Sequence, residues 1–546
     1  MLYPDPSNLH YDNTSLEWDD PTSHNAKPDL SNDVPAMFFI AINTALLLGA
    51  LPGVCAQYYK IDTRENILKS ARTLAFDLMT FYKGNQPGEI PGILPGPPTE
   101  GKGDYFWWEG GAMMGTYIDY WHFTGDDTYN QDIMEGMIHQ TGPNADYMPP
   151  NHTASLGNDD QGFWGMSAML AAETKFPNPP SDKPQWLALA QAVFNTQADP
   201  GRHDHYCNGG MRWQIPLANG GYNYKNTIAN GCFFNLGARL ARYTNNATYA
   251  RYAEDTWNWI YGVNYIDHET WQVYDGGTIE ANCTDINKAT FSYNAAILTQ
   301  GAAFMYNYTE ADMWRERVEK LLDNLLKSFF PDGIAYEVPC EGGRGCTTDM
   351  LSFKGYVHRW LTVVAQIAPF TADKILPVLR KSAQAAVNQC TGGETGRRCG
   401  FYWSSGEFVD PSVDKTTGAG EQMNVLAAVS SLMVNEPNPP NAPVTDATGG
   451  ISPGDPSAGG GRGGGDITVH KDITTADRAG AGILTFLLLA CLLGTCWWMS
   501  FERSKPEDEK SPENAGNKRQ SAAEPPEGTA KRHIRWLGRI IDSPKG

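Results

Sequence analysis

Twelve helical segments alternate in character between residues 60 and 435, and this alternation limits the fold more than any other feature of the chain. Apolar residues recur with helical period at about 62–82, 106–123, 127–139, 159–176, 184–195, 226–244, 248–263, 290–308, 311–328, 350–368, 371–390 and 419–433. Odd-numbered segments carry one apolar stripe and a charged face, as in Trp314-Arg315-Glu316-Arg317-Val318-Glu319-Lys320-Leu321. Even-numbered segments are rich in Gly and Ala and apolar nearly all round, as in Gly110-Gly111-Ala112-Met113-Met114-Gly115. A one-stripe helix faces water on its other side, whereas a helix apolar all round is buried. Outer and inner helices in alternation, six of each, predict an all-α fold: an (α/α)6 barrel.

Each inner segment begins just after a loop of polar and aromatic residues. These loops include Asp104-Tyr105-Phe106-Trp107-Trp108-Glu109, Gly157-Asn158-Asp159-Asp160, Tyr222-Asn223-Tyr224-Lys225-Asn226 and Phe291-Ser292-Tyr293-Asn294. Phe353-Lys354-Gly355-Tyr356 and Gly418-Ala419-Gly420-Glu421-Gln422 complete the set. Parallel inner helices would bring all six starts to one end and line a single cleft there. The adjacent carboxylates Asp159 and Asp160 then occupy a helix start inside that cleft. Acids at a helix start also cap free backbone N–H groups, and spacing alone favours that structural role. Aromatic company changes the balance, because glycosidic cleavage needs one protonated and one ionised carboxyl beside a sugar-stacking surface.

The net charge of −20 argues against a nucleic-acid partner, since phosphate contacts need Lys and Arg. No HExxH and no CxxC pair occurs, so neither a metal nor another cofactor is expected. Residues 37–51, an apolar run followed by Val54-Cys55-Ala56, fit a signal peptide spanning 37–56, with residues 1–36 a spurious or disordered extension. The sequons at Asn151, Asn246, Asn282 and Asn307 accord with secretion and glycosylation. Cys340/Cys346 and Cys390/Cys399 are short-loop disulfide candidates, and Cys232, inside an apolar helical run, is the expected unpaired thiol. Residues 437–478 are Pro- and Gly-rich and read as linker. Residues 479–501 are long and apolar enough to span a bilayer, and the basic residues in 502–546 predict a disordered cytosolic tail. The expected topology is single-pass type I, at the plasma membrane or an endomembrane, with residues 57–436 extracellular or luminal.

The chain resembles glycoside hydrolase family 76, and within it the fungal endo-α-1,6-mannosidase-like proteins of the cell wall. The resemblance rests on Tyr105-Phe106-Trp107-Trp108-Glu109-Gly110-Gly111, Asn158-Asp159-Asp160-Gln161-Gly162-Phe163-Trp164 and Gly209-Gly210-Met211-Arg212-Trp213-Gln214. It also rests on Lys225-Asn226-Thr227-Ile228-Ala229-Asn230-Gly231, Val273-Tyr274-Asp275-Gly276 and Phe353-Lys354-Gly355. It implies a retaining mechanism with Asp159 as nucleophile, Asp160 as general acid/base and Asp275 as a third acid that orients the sugar. Trp107, Trp108, Arg212, Trp213, Asn226, Asn230 and Tyr293 are the further substrate-binding candidates. The implied substrate is α-1,6-mannan, or a GPI glycan whose mannose is transferred to wall polysaccharide. The alternative is a non-catalytic glycan-binding wall scaffold on the same fold. The 45 residues after the apolar run match a GPI signal poorly and favour a transmembrane anchor over that alternative.

Overall fold

The computed structural model describes residues 58–152, 155–410 and 418–459, together with 483–485, 487–495 and 497. The expected extension 1–36, signal segment 37–56 and tail 502–546 lie outside the described residues, as do residues 460–478 of the expected linker.

All twelve helices form. They are α1 (Arg64–Met79), α2 (Trp107–Thr124), α3 (Asn130–His139), α4 (Asn158–Thr174), α5 (Trp186–Gln197) and α6 (Thr227–Thr244). They continue as α7 (Ala247–Gly262), α8 (Ser292–Thr309), α9 (Asp312–Phe329), α10 (Phe353–Ile367), α11 (Ala372–Asn388) and α12 (Ala419–Ser430). Two three-residue strands, β1 (Tyr224–Asn226) and β2 (Gly276–Thr278), pair antiparallel between the loops that precede α6 and α8.

The inner ring closes: α2 packs on α4, then α6, α8, α10 and α12 follow, and α12 returns to α2. Burial explains which helices go inside. Fifteen residues of α4 are buried, on every side of the helix. In α9 only Trp314, Val318, Leu321, Leu322, Leu325 and Phe329 are buried, a single stripe on an outer helix. Small residues let inner helices approach closely: a Cβ on Gly111 would lie 2.7 Å from the Trp164 ring of the next inner helix. The barrel axis is not purely apolar. Arg239–Glu173 (2.6 Å) and Arg359–Asp119 are buried ion pairs lining a common cavity beneath Phe163 and Trp360.

Neighbouring inner-helix starts touch around one end of the barrel. The Ala419 amide donates to the Tyr105 hydroxyl (3.0 Å), the Gly355 amide to Asn424 Oδ1 (2.6 Å), and Tyr293 stacks on Phe353.

Residues 437–459 depart from the expected linker. They form a strap across the opposite end and up the side of α5. The Val444 amide donates to Glu173 O (2.8 Å), and Arg242 Nη2 donates to Pro443 O (2.8 Å). Further along, the Leu187 amide donates to Ser452 Oγ (3.0 Å), and Asn195 Nδ2 donates to Pro456 O and Ala458 O. The strap covers the side of α5 that carries Leu187, Gln191 and Asn195. Its composition forbids an independent core, but its carbonyls and amides can still pair with polar groups on a core that already exists.

Among the described residues, Cys340–Cys346, Cys390–Cys399 and Cys207–Cys283 form disulfides, and Cys232 is a buried free thiol. Ile483–Thr495 is a short apolar helix, and no single helix among the described residues is long and apolar enough to cross a membrane.

Candidate active site

Asp159 and Asp160 occupy the first turn of α4, where the helix opens onto the cleft. The capping role and the site role coincide. Asp160 Oδ2 accepts from the Gly157 amide (2.7 Å), and Asp159 Oδ1 accepts from the Asp160 amide (3.0 Å). Gly157 is required by this closeness, because a Cβ there would lie 2.2 Å from Asp159 Oδ1.

Loop 211–215 is clamped to the same helix start. The Asn158 amide donates to Trp213 O (2.8 Å), and Asn158 Nδ2 donates to Arg212 O (2.8 Å). This brings the Trp213 side chain to the Asp159 carboxyl, whose ionised form it favours. Arg212 is held by the protein around it. Its guanidinium pairs with Asp204, donates to Tyr222 O and Asn223 Oδ1 (3.0 Å each), and stacks over the Tyr222 ring at 4.3 Å. Lys225 binds the other oxygen of Asp204 (2.7 Å). Asn226 caps α6 through the Ala229 amide, and Asn230 exchanges two hydrogen bonds with the Met211 backbone. Arg212, Asn226 and Asn230 thus help build the loop that carries Trp213.

Trp107 and Trp108 diverge at the start of α2. Trp107 is sandwiched between His152 (5.5 Å) and Trp164 (5.2 Å), and its indole N–H donates to Gln140 Oε1. Trp108 packs on Phe163 at 4.7 Å as part of the cleft floor. Asp275 stands on the loop before β2 and accepts from the Tyr224 hydroxyl (2.7 Å), with Asn287 and Asn294 at 3.4 and 3.5 Å. Tyr293 lies flat on Phe353, with ring centroids 3.8 Å apart.

Asp349 is a further carboxylate of this site that the sequence reading did not single out. Trp108 Nε1 donates to its Oδ1 (3.0 Å), and its charge acts on Asp160. The available signal was positional: Asp349 lies in the loop ahead of α10, as Asp159 and Asp160 open α4.

Electrostatics follow from burial. Desolvation pushes Asp160 up to about 7, with the Asp349 charge adding to it, and pushes Asp349 up to about 6. Desolvation, and then the charge of Asp160, raises Asp159. Two such neighbours do not both ionise readily, so the pair retains a proton near neutral pH. Among the described residues, no group of three or more His, Cys, Asp or Glu side chains is placed to hold a metal ion.

A closed ring of inner helices with paired, proton-sharing carboxyls on an aromatic floor defines a carbohydrate-cleaving enzyme of the (α/α)6 class. The profile of glycosyl hydrolase family 76 matches residues 66–446. The chain belongs to glycoside hydrolase family 76. It is 43% identical over 443 residues to mannan endo-1,6-alpha-mannosidase DCW1 of Saccharomyces cerevisiae, covering 81% of this chain and 94% of that protein. The DFG5 mannan endo-1,6-alpha-mannosidase of the same yeast is 38% identical, with 81% and 94% covered. The crystal structure of Dfg5 from Chaetomium thermophilum in complex with glucosamine is 73% identical, with a TM-score of 0.73, covering 74% of this chain and 99% of that one. The GH76A alpha-1,6-mannanase of Salegentibacter sp. HEL1_6 is 15% identical, with a TM-score of 0.53 and 68% and 100% covered, a likeness in fold alone.

Proposed function

We propose that this chain is a retaining, endo-acting α-1,6-mannosidase of fungal cell-wall biogenesis. The observation that carries the reading is the Asp159–Asp160 pair, shared between the α4 cap and the cleft floor. Burial raises both carboxyls, Asp159 included, so the pair holds one proton between them. The family resemblance assigns the charge to Asp159, and the Asp160 amide and the Trp213 side chain favour it there. Asp160 keeps the proton. In the first step the Asp159 carboxylate attacks the anomeric carbon while Asp160 gives its proton to the departing glycosidic oxygen. A glycosyl ester on Asp159 and a free leaving sugar result. In the second step Asp160 takes a proton from the incoming hydroxyl, whose oxygen bonds to the anomeric carbon and releases Asp159. Water as that nucleophile gives hydrolysis, and a sugar hydroxyl gives transfer of a mannosyl fragment to wall polysaccharide.

The mannan preference rests on the names of the 43% and 38% identical relatives. The glucosamine in the 73% identical Dfg5 crystal favours a glycan that carries an amino sugar, as a GPI glycan does. Asp275 and Tyr293 are the proposed groups that orient the sugar at the cleavage point. Secretion is supported by three disulfides, which form in oxidising compartments. Residues 479–501 are proposed as the anchor, supported by the outward-facing Leu484, Leu488, Leu492 and Leu493 of the short apolar helix.

The test is Asp159→Asn and Asp160→Asn, each assayed on reduced-end-labelled α-1,6-mannan with and without an acceptor glycan. Both variants are expected to fold and to lose about a thousandfold in turnover. Normal turnover by either folded variant removes that residue from the mechanism. Absence of any labelled product from the wild-type chain, with or without acceptor, removes the reading itself.

A further inference from the structure

Helix α8 starts without a cap of its own. Its N-cap position is Phe291, which has no side-chain acceptor. The missing acceptor comes from 45 residues further along the chain. Glu337 Oε1 accepts from the Ser292 amide (2.8 Å) and Oε2 accepts from the Ser292 hydroxyl (2.5 Å). Glu337 is fully buried. A carboxylate at this place satisfies two donors of the first turn and complements the helix dipole.

The backbone that carries Glu337 is itself held. The Glu337 amide donates to Glu341 Oε2 (2.8 Å), and the same oxygen pairs with Lys354 Nζ (2.8 Å). Lys354 also donates to Phe401 O (2.7 Å) and belongs to the first turn of α10. A buried chain of charged groups therefore joins the start of α8 to the start of α10. The residues beside the two ends are Tyr293, next to Ser292, and Phe353, next to Lys354. These are the two rings that stack 3.8 Å apart at an interplanar angle of 9°. Tyr293 is half-buried. Burial, with the charges of Asp275, Asp159 and Asp349 around it, holds its phenol protonated and so a hydrogen-bond donor.

We propose that Glu337 is a positioning residue for the reaction: by capping α8 through Ser292 it holds the Tyr293 hydroxyl as a donor toward the sugar bound at Asp159. The proposal rests on the reading of the Asp159–Asp160 pair given above. It separates Glu337, which touches no substrate, from Tyr293, which does.

A double-mutant cycle tests it on the full-length secreted enzyme. Tyr293→Phe removes the donor and should lower kcat about ten- to a hundredfold, the worth of one hydrogen bond to a charged or developing-charge centre. Glu337→Ala should lower kcat to a similar degree. Adding Glu337→Ala to Tyr293→Phe should lower it little further, because both act through one hydroxyl. Glu337→Gln, which still accepts from the Ser292 amide, should recover most of the wild-type kcat. Where Glu337→Ala does not fold, Ser292→Ala replaces it in the same cycle, since it removes one of the two bonds and leaves the backbone cap. Losses that add in full, or a kcat unchanged by Glu337→Ala or its substitute, overturn the proposal.

A crystal structure of Glu337→Ala or Ser292→Ala supplies a readout that needs no activity. Tyr293 should shift from its stack on Phe353, and an unmoved ring overturns the proposal. An inactive wild-type chain would count against the mannosidase reading, while the displacement of Tyr293 would still decide the role of Glu337.

Discussion

Trp108 Nε1 donates to Asp349 Oδ1 at 3.0 Å, so the first inner helix holds an acid supplied by the loop before the fifth. The charge of that acid also acts on Asp160 and helps keep a proton there. Protonation of Asp160 thus depends on a residue 189 positions away (349 − 160).

This relationship predicts a pH effect. Asp160 must be protonated to act as the acid, and burial plus Asp349 hold it up to about 7. The basic limb of kcat/KM should therefore fall near pH 7. Asp349→Asn removes one of the two causes, so the pKa of Asp160 drops and the basic limb moves to lower pH. A pH profile of both enzymes on α-1,6-mannan checks this, and an unshifted limb would detach Asp349 from Asp160.

Below the cleft, Arg359 pairs with Asp119 and donates to Thr116 Oγ1, with both charged side chains almost fully buried. Arg359→Ala would leave the Asp119 charge uncompensated inside the barrel. The expected cost is about 3–5 kcal/mol, read by denaturant unfolding of the secreted domain. A loss under about 1 kcal/mol would mean that water or another group already compensates Asp119.

The strap makes a separate prediction. Ending the chain after residue 436 removes the groups that meet Glu173 O, Arg242, Leu187 and Asn195. The truncated domain should melt several degrees below one ending at residue 459. Equal melting temperatures would show that the strap rests on α5 without stabilising it.

Sequon occupancy should follow exposure. Asn151 is exposed, whereas Asn246 is 8% exposed and its Oδ1 accepts from the Thr248 amide (2.9 Å) to cap α7. Glycopeptide mass spectrometry of the secreted protein should find Asn151 occupied and Asn246 bare. Full occupancy of Asn246 would require its buried side-chain nitrogen to reach solvent, and would contradict the burial found at that point.

Much of the architecture can be read along the chain because its signals are local. The stripe of Trp314, Val318, Leu321, Leu322 and Leu325 marks an outer helix, and the all-round burial of α4 marks an inner one, since a 3.6-residue period needs only neighbours to be expressed. The place of Asp159 and Asp160 is equally local: they open an inner helix, and inner helices open at the cleft. The barrel's closure decided the rest. Arg212, Asn226 and Asn230 read as sugar ligands along the chain, and the fold also gives each a partner within the protein. Asp349 joins the site only when the closed ring brings the loop before α10 to the start of α2, and Glu337 caps α8 only when a loop 45 residues later folds back over it. Residues 437–459 have the composition of a linker and become a strap because a finished barrel offers them partners. Helical periodicity is written in a residue's immediate neighbours, whereas the partner of a buried charge or a free amide is chosen by which distant segments the closed ring sets side by side.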